Sequence, residues 1–143
     1  MRLSHLPQLL TTGEIRVQLD RERLAESDPL ITTEVTSVGD AARRISPPWF
    51  FNGTEFSSYG DPGATCHTMA HVVENELYPL KRNEIPDYLM ALLAYRLPEG
   101  ALLLDGNHRF HALTDLAPES PVVIITIEGP LDPAVLPDLG RWS

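Results

Sequence analysis

The sequence predicts an α/β (α+β) chain: a single domain with a small mixed sheet flanked by helices. Three observations carry this. An apolar run, Leu102-Leu103-Leu104, stops at Asp105-Gly106 and gives way to helical spacing at Phe110, Leu113 and Leu116. A β-branched run, Pro121 to Ile127, is continuously apolar, as in a strand buried on both faces. Strand-like and helix-like stretches alternate along the chain rather than segregate. A length of 143 residues suits one domain, and a hydrophobic content of 43% supplies an ordinary core.

In chain order, Leu9-Leu10 opens a short helix that Gly13 ends. Ile15, Val17 and Leu19 alternate with polar residues and predict a half-buried strand over 14–20. Residues 21–26 are charged around Leu24 and form a solvated turn or a one-turn helix. Residues 31–38, rich in β-branched side chains, predict a second strand, and Asp40 caps a short helix through Arg44. Pro47-Pro48 interrupts regular structure. Trp49-Phe50-Phe51 is a core strand or one wall of a pocket; aromatics mostly supply buried area, which favours the core.

Residues 52–63 are a loop by composition. Asp61-Pro62 starts a helix that runs to about Leu77, with Cys66, Met69, Ala70, Val73 and Leu77 as its apolar stripe. Pro86-Asp87 opens another helix, with Leu89, Leu92, Leu93 and Leu97 on its buried face and Pro98-Glu99-Gly100 at its end. Residues 128–143, punctuated by Pro and Gly, read as a surface tail.

Bulk properties narrow the function. The formal net charge is -9, and no basic cluster supplies the footprint that nucleic-acid binding requires. One cysteine, Cys66, excludes an internal disulfide framework and all-cysteine zinc sites. No apolar run approaches the roughly 20 residues of a membrane helix. The first residues lack a signal-peptide core, so the expected location is cytoplasmic.

Two constellations can carry chemistry. The first is Asp105-Gly106-Asn107-His108-Arg109. A glycine turn from a strand into a helix places His108 and Arg109 in the first helical turn, where backbone N–H groups and the helix dipole attract anions. A cation is unfavourable there unless a negative ligand balances it. Asp105 at the strand end can hold magnesium or orient His108. The purely structural alternative has Asp105 as a cap and Arg109 paired with a surface carboxylate.

The second constellation is His67, His71 and Glu74, one face of a helix at i, i+4 and i+7. Two histidines four apart can share a metal, and His108 would complete a three-histidine site if the segments meet. The glutamate of the zinc-protease pattern is absent from His67-Thr68-Met69-Ala70-His71. Cys66 reads as a buried thiol and Lys81-Arg82 as an exposed pair.

The stretch Leu103 to Leu113, with Asp105-Gly106-Asn107-His108-Arg109 at its centre, resembles the signature of the ParB/sulfiredoxin-like superfamily. The resemblance reaches forward through the strand at 121–127 and backward, less closely, to Leu80. Residues 1–75 carry no motif of that superfamily. It implies a nucleotide-phosphate turn: phosphate contacts from Gly106, Asn107, His108 and Arg109, with Asp105 and His108 at the reacting group. It implies ATP or ADP with magnesium as cofactor and a small-molecule substrate, the nearest type being the stand-alone free serine kinases.

Three departures qualify the resemblance. Asn107 stands where sulfiredoxins have their cysteine, the DNA-binding part of ParB proteins has no counterpart, and Pro98–Ala101 leaves little room for the strand expected before the signature. The leading expectation is therefore an ATP/ADP-dependent phosphotransferase or activating enzyme. The others are a non-enzymatic nucleotide- or partner-binding module, and an acid–base or metal-dependent enzyme using His67, His71 and His108.

Overall fold

The computed structural model describes residues 1–6, 8, 19–51, 56–58, 67–77 and 89–136, with backbone alone at 50, 51 and 56–58. After a 3-10 turn at Leu3–His5, the chain forms α1 (Arg21–Ser27), β1 (Ile31–Ser37), α2 (Val38–Ala42), β2 (Ile45–Ser46), β3 (Trp49–Phe51) and β4 (Phe56–Ser58). It continues with α3 (Met69–Glu74), β5 (Met90–Arg96), β6 (Ala101–Asp105), α4 (Asn107–Leu116) and β7 (Pro121–Ile127). Five strands make one mixed sheet in the order β1-β7-β5-β6-β2, and β3 and β4 pair separately. This is the α/β class the sequence predicts. Among the described residues, no helix is long and apolar enough to cross a membrane.

The sheet buries both faces, and strand alternation sorts its residues between two cores. Leu93, Tyr95, Leu102, Leu104 and Ile127 meet Leu3, Leu24, Val135 and Leu136 on one side. Leu92, Ala94, Leu103, Val122 and Ile124 meet Val38, Met69, Phe110 and Leu113, from α2, α3 and α4, on the other. Each such aliphatic side chain contributes about 1.5–3 kcal/mol by leaving water. Val135 and Leu136 are buried, so this part of the segment expected as a surface tail docks onto the sheet.

The largest correction concerns residues 86–97. The predicted leucine-faced helix is, over Met90–Arg96, strand β5. It lies between β7, which it parallels, and β6, which it opposes. A strand buried on both faces loses its alternation, and its Met, Ala and Leu residues are good helix formers. Ladder pairing on both edges overrides that propensity. Leu89, assigned to the buried face, is 57% exposed. The change also places a strand directly before β6. β5 turns directly into β6 through residues 97–100, where Leu97 N–H donates to the Gly100 carbonyl. Gly100 has φ +71°, and a Cβ there would lie 2.5 Å from the Arg44 carbonyl oxygen. Only glycine fits this corner.

Smaller differences follow from caps. Helix α2 is capped by Ser37, whose hydroxyl accepts from Asp40 N–H, while Asp40 sits in the first turn. Thr68 caps α3 at His71 N–H, so this helix begins at Met69 and not at Asp61, which lies outside the described residues. Residues 21–27 form a full α1 under an Asp20 cap. The stretch expected as a loop after Phe51 contains β4. Most of the predicted strand at 14–20 and the helix start at Leu9 fall outside the described residues.

Candidate functional site: the β6–α4 turn

Strand β6 ends at Asp105, which is half-buried and registered opposite Leu93 of β5. Gly106 then adopts φ +97° and ψ 19°, and its carbonyl accepts the first helical bond from Phe110 N–H at 2.8 Å. A Cβ at Gly106 would lie 2.8 Å from Met90 Cε and 3.1 Å from Leu92 Cδ2. The backbone conformation favours glycine, and a larger residue would also have to displace the side-chain ends of Met90 and Leu92. The side chains of β5 form a floor that fixes where α4 begins.

Helix α4 starts without a side-chain cap and with no acidic residue in its first turn. The other three described α-helices each have one, from Asp20, Ser37 and Thr68. Asn107, His108 and Arg109 occupy the first turn of α4. Asn107 Oδ1 is buried, His108 is half-buried and Arg109 is exposed. His111, the other histidine of this segment, is buried inside the helix packing.

The parallel pairing of β2 with β6 places the chain after Ser46 beside this turn. Trp49 arrives edge-on to His108, with ring centroids 5.9 Å apart and planes at 68°. It is half-buried, so it forms a wall of the turn rather than a core anchor. The aromatic cluster signalled this role only as the less favoured alternative. The Met90 and Leu92 floor was hidden by the misassigned helix.

The turn thus brings together Asp105, Gly106, Asn107, His108 and Arg109 as expected, and adds Trp49. His67 and His71 stack on one another instead, with ring centroids 4.3 Å apart and planes at 10°. His67 precedes the helix, so the pair does not arise from two turns of one helix as expected. Burial, and then the neighbouring His71, push the His67 imidazole below its ordinary 6.5. Glu74 is exposed farther along α3. Among the described residues, no group of three or more His, Cys, Asp or Glu is placed to hold a metal ion. The three-histidine metal site is therefore not assembled by these residues. Cys66, Lys81 and Arg82 lie outside the described residues.

In chemical terms, the turn offers a positive helix end, an arginine fork, an imidazole and one carboxylate at a strand terminus. That set suits an oxyanion carrying a divalent cation better than it suits an apolar ligand. Compared with protein-family models, with curated proteins and with solved structures, the chain matches none of them.

Proposed function

We propose that the β6–α4 turn binds the phosphates of a nucleotide, ATP or ADP, and that the chain transfers phosphate to, or activates, a small polar metabolite. The observation that carries this is the start of α4, uncapped by any side chain, free of acidic residues and followed at once by His108 and Arg109. An anion satisfies all three features together. The succession of β6, glycine turn, α4 and β7 in a mixed sheet supports kinship with the ParB/sulfiredoxin-like superfamily.

In this reading Gly106 and Asn107 present backbone N–H groups to a phosphate, and Arg109 neutralises its charge from the solvent side. Asp105 is the carboxylate that would hold magnesium, an ion usually bound by one or two carboxylates together with substrate phosphates. The ion supplies neutralisation of the developing phosphoryl charge. His108, backed by Trp49, holds a proton or a phosphoryl oxygen in place. Rate enhancement then comes mainly from positioning and charge.

The test is thermal melting of wild type and Arg109→Ala with ATP, ADP and CTP, with and without magnesium. Ligand at a hundred times Kd adds about 2.7 kcal/mol of apparent stability. Melting should rise in wild type, less in Arg109→Ala, and phosphate release or transfer should accompany it. Binding without turnover would leave a nucleotide-binding module. Absence of any shift at millimolar nucleotide would sink the proposal.

A further inference from the structure

Among the described residues, strand β1 is the long free edge of the sheet. Its inner edge pairs along its whole length with β7. Leu30 accepts from Glu128 N–H and Val38 donates to the Ser120 carbonyl, so even-numbered residues turn their backbone groups towards β7. Odd-numbered residues turn theirs outward, as Ile31 does when its N–H donates to the Met1 carbonyl at 2.8 Å. Beyond Ile31, no described segment pairs with the outer edge. Residues Thr32 to Val35 are exposed, and Val35 is 66% exposed. Native edges are usually blunted by charge, proline or a bulge. Here the single charge, Glu34, is held bidentately by Arg44 at 3.0 Å and 3.0 Å.

On one face, Val35, Val123 and Ala91 line up across three adjacent strands. Val35 and Ala91 are exposed and Val123 is half-buried, so an apolar row runs to the edge and stops there. We propose that two copies of the chain pair antiparallel through β1, about a two-fold axis at Val35, and join their sheets into one.

The register follows from charge and from bonds already made. Centred on Val35, the two Val35 residues exchange backbone hydrogen bonds, Thr33 faces Ser37 of the partner subunit, and Glu34 faces Thr36 of the partner subunit. Centred on Glu34, two carboxylates would face each other directly, which is destabilising. Centred on Thr33, the pairing would need the Ile31 N–H that Met1 already takes. The Val35 register also continues the row Ala91-Val123-Val35 into its symmetry mate and removes the exposed valine from water. A closed two-fold interface of this kind is self-complementary and leaves the β6–α4 turn outside it.

Sedimentation or light scattering over a micromolar to millimolar series tests this. Twice the chain mass of 15.9 kDa is expected at the upper end. Val35→Lys should weaken dimerisation by at least about tenfold, since like charges would meet at the axis. In a Cys66→Ser background, Val35→Cys should cross-link to itself on mild oxidation, because directly paired Cα atoms lie about 5.5 Å apart. Thr33→Cys alone should not, since its copies lie far apart along the strand. A monomer throughout, a dimer indifferent to Val35→Lys, or faster cross-linking through Thr33 than through Val35 would each overturn the proposal. Should Val35→Lys fail to fold, the cross-linking comparison decides it.

Discussion

Trp49 stands edge-on to His108, 5.9 Å between ring centroids, and so joins the segment after β2 to the first turn of α4. The contact puts an indole where any ligand at this turn changes its surroundings. The chain holds two tryptophans, Trp49 and Trp142. Titrating ATP and magnesium into Trp142→Phe should change the intrinsic fluorescence, and the same titration into Trp49→Phe should not. A response that survives loss of Trp49 would place the ligand elsewhere.

Gly106 should be the least replaceable residue of the turn. Alanine there must hold φ +97° and push aside the flexible end of Met90, whose Cε would otherwise lie 2.8 Å from its Cβ. Strained backbone of this kind costs about 1–3 kcal/mol. Gly106→Ala should therefore lose that much stability in urea unfolding, with phosphate binding weakened more than stability alone explains. Adding Met90→Ala should recover the steric share and not the backbone share, giving non-additive changes in a double-mutant cycle.

The contrast between these two residues shows what the sequence could reveal. Asp105-Gly106-Asn107-His108-Arg109 was legible because turn chemistry is local: an apolar strand, a glycine and a helical period fall within one window. The strand at 121–127 was legible from its β-branched composition. Met90 to Arg96 was not, because its pairing with β7, remote in sequence, joins the pairing with β6 in deciding its conformation. Trp49 was ambiguous for the same reason. Its place at the site depends on two residues, Ile45 and Ser46, pairing parallel to β6 across more than fifty positions of sequence. The cap of α2 was misplaced by three residues because Ser37 and Asp40 are equally good cap types.

Tyr95 anchors the far end of the sheet. Its hydroxyl donates to the Pro130 carbonyl at 2.5 Å, and burial pushes its pKa up to about 12. The unfolded phenol ionises near 10. Stability from this group is present below pH 10 and declines as pH rises through about 12. Absorbance titration should show one of the four tyrosines ionising late, and that phase should vanish in Tyr95→Phe. The same substitution removes the donor to a half-buried carbonyl and should cost about 0.5–1.5 kcal/mol.

Glu128 ties three strands together. It accepts from Arg96 Nε at 2.9 Å and Nη2 at 3.0 Å, and from the Thr32 hydroxyl at 2.6 Å. The Arg96 hydrogen bonds hold its carboxyl below the ordinary 4.5. The unfolded carboxyl protonates first as pH falls, so this stabilisation is complete above 4.5 and is lost below it. Arg96 is 43% exposed on its side chain, so solvent screens the pair and Glu128→Gln should cost only about 1 kcal/mol at neutral pH. In acid the variant and wild type should converge. A constant difference down to pH 2 would mean the charge is not what matters.

The stacked pair His67 and His71 also loses stability as pH falls, in a higher range. Burial first, and the charge of His71 second, hold His67 below 6.5. The unfolded His67 therefore takes its proton before the folded one. Above pH 6.5 the group costs nothing, and stability falls as pH drops through the window between 6.5 and the lowered folded value. His71→Gln removes the charge and leaves the burial. NMR titration should then show His67 moving towards 6.5 without reaching it, and the loss of stability as pH falls below 6.5 should become shallower. An unchanged His67 titration in His71→Gln would leave burial as its sole cause. It would reduce the 4.3 Å stack to a packing contact without electrostatic coupling.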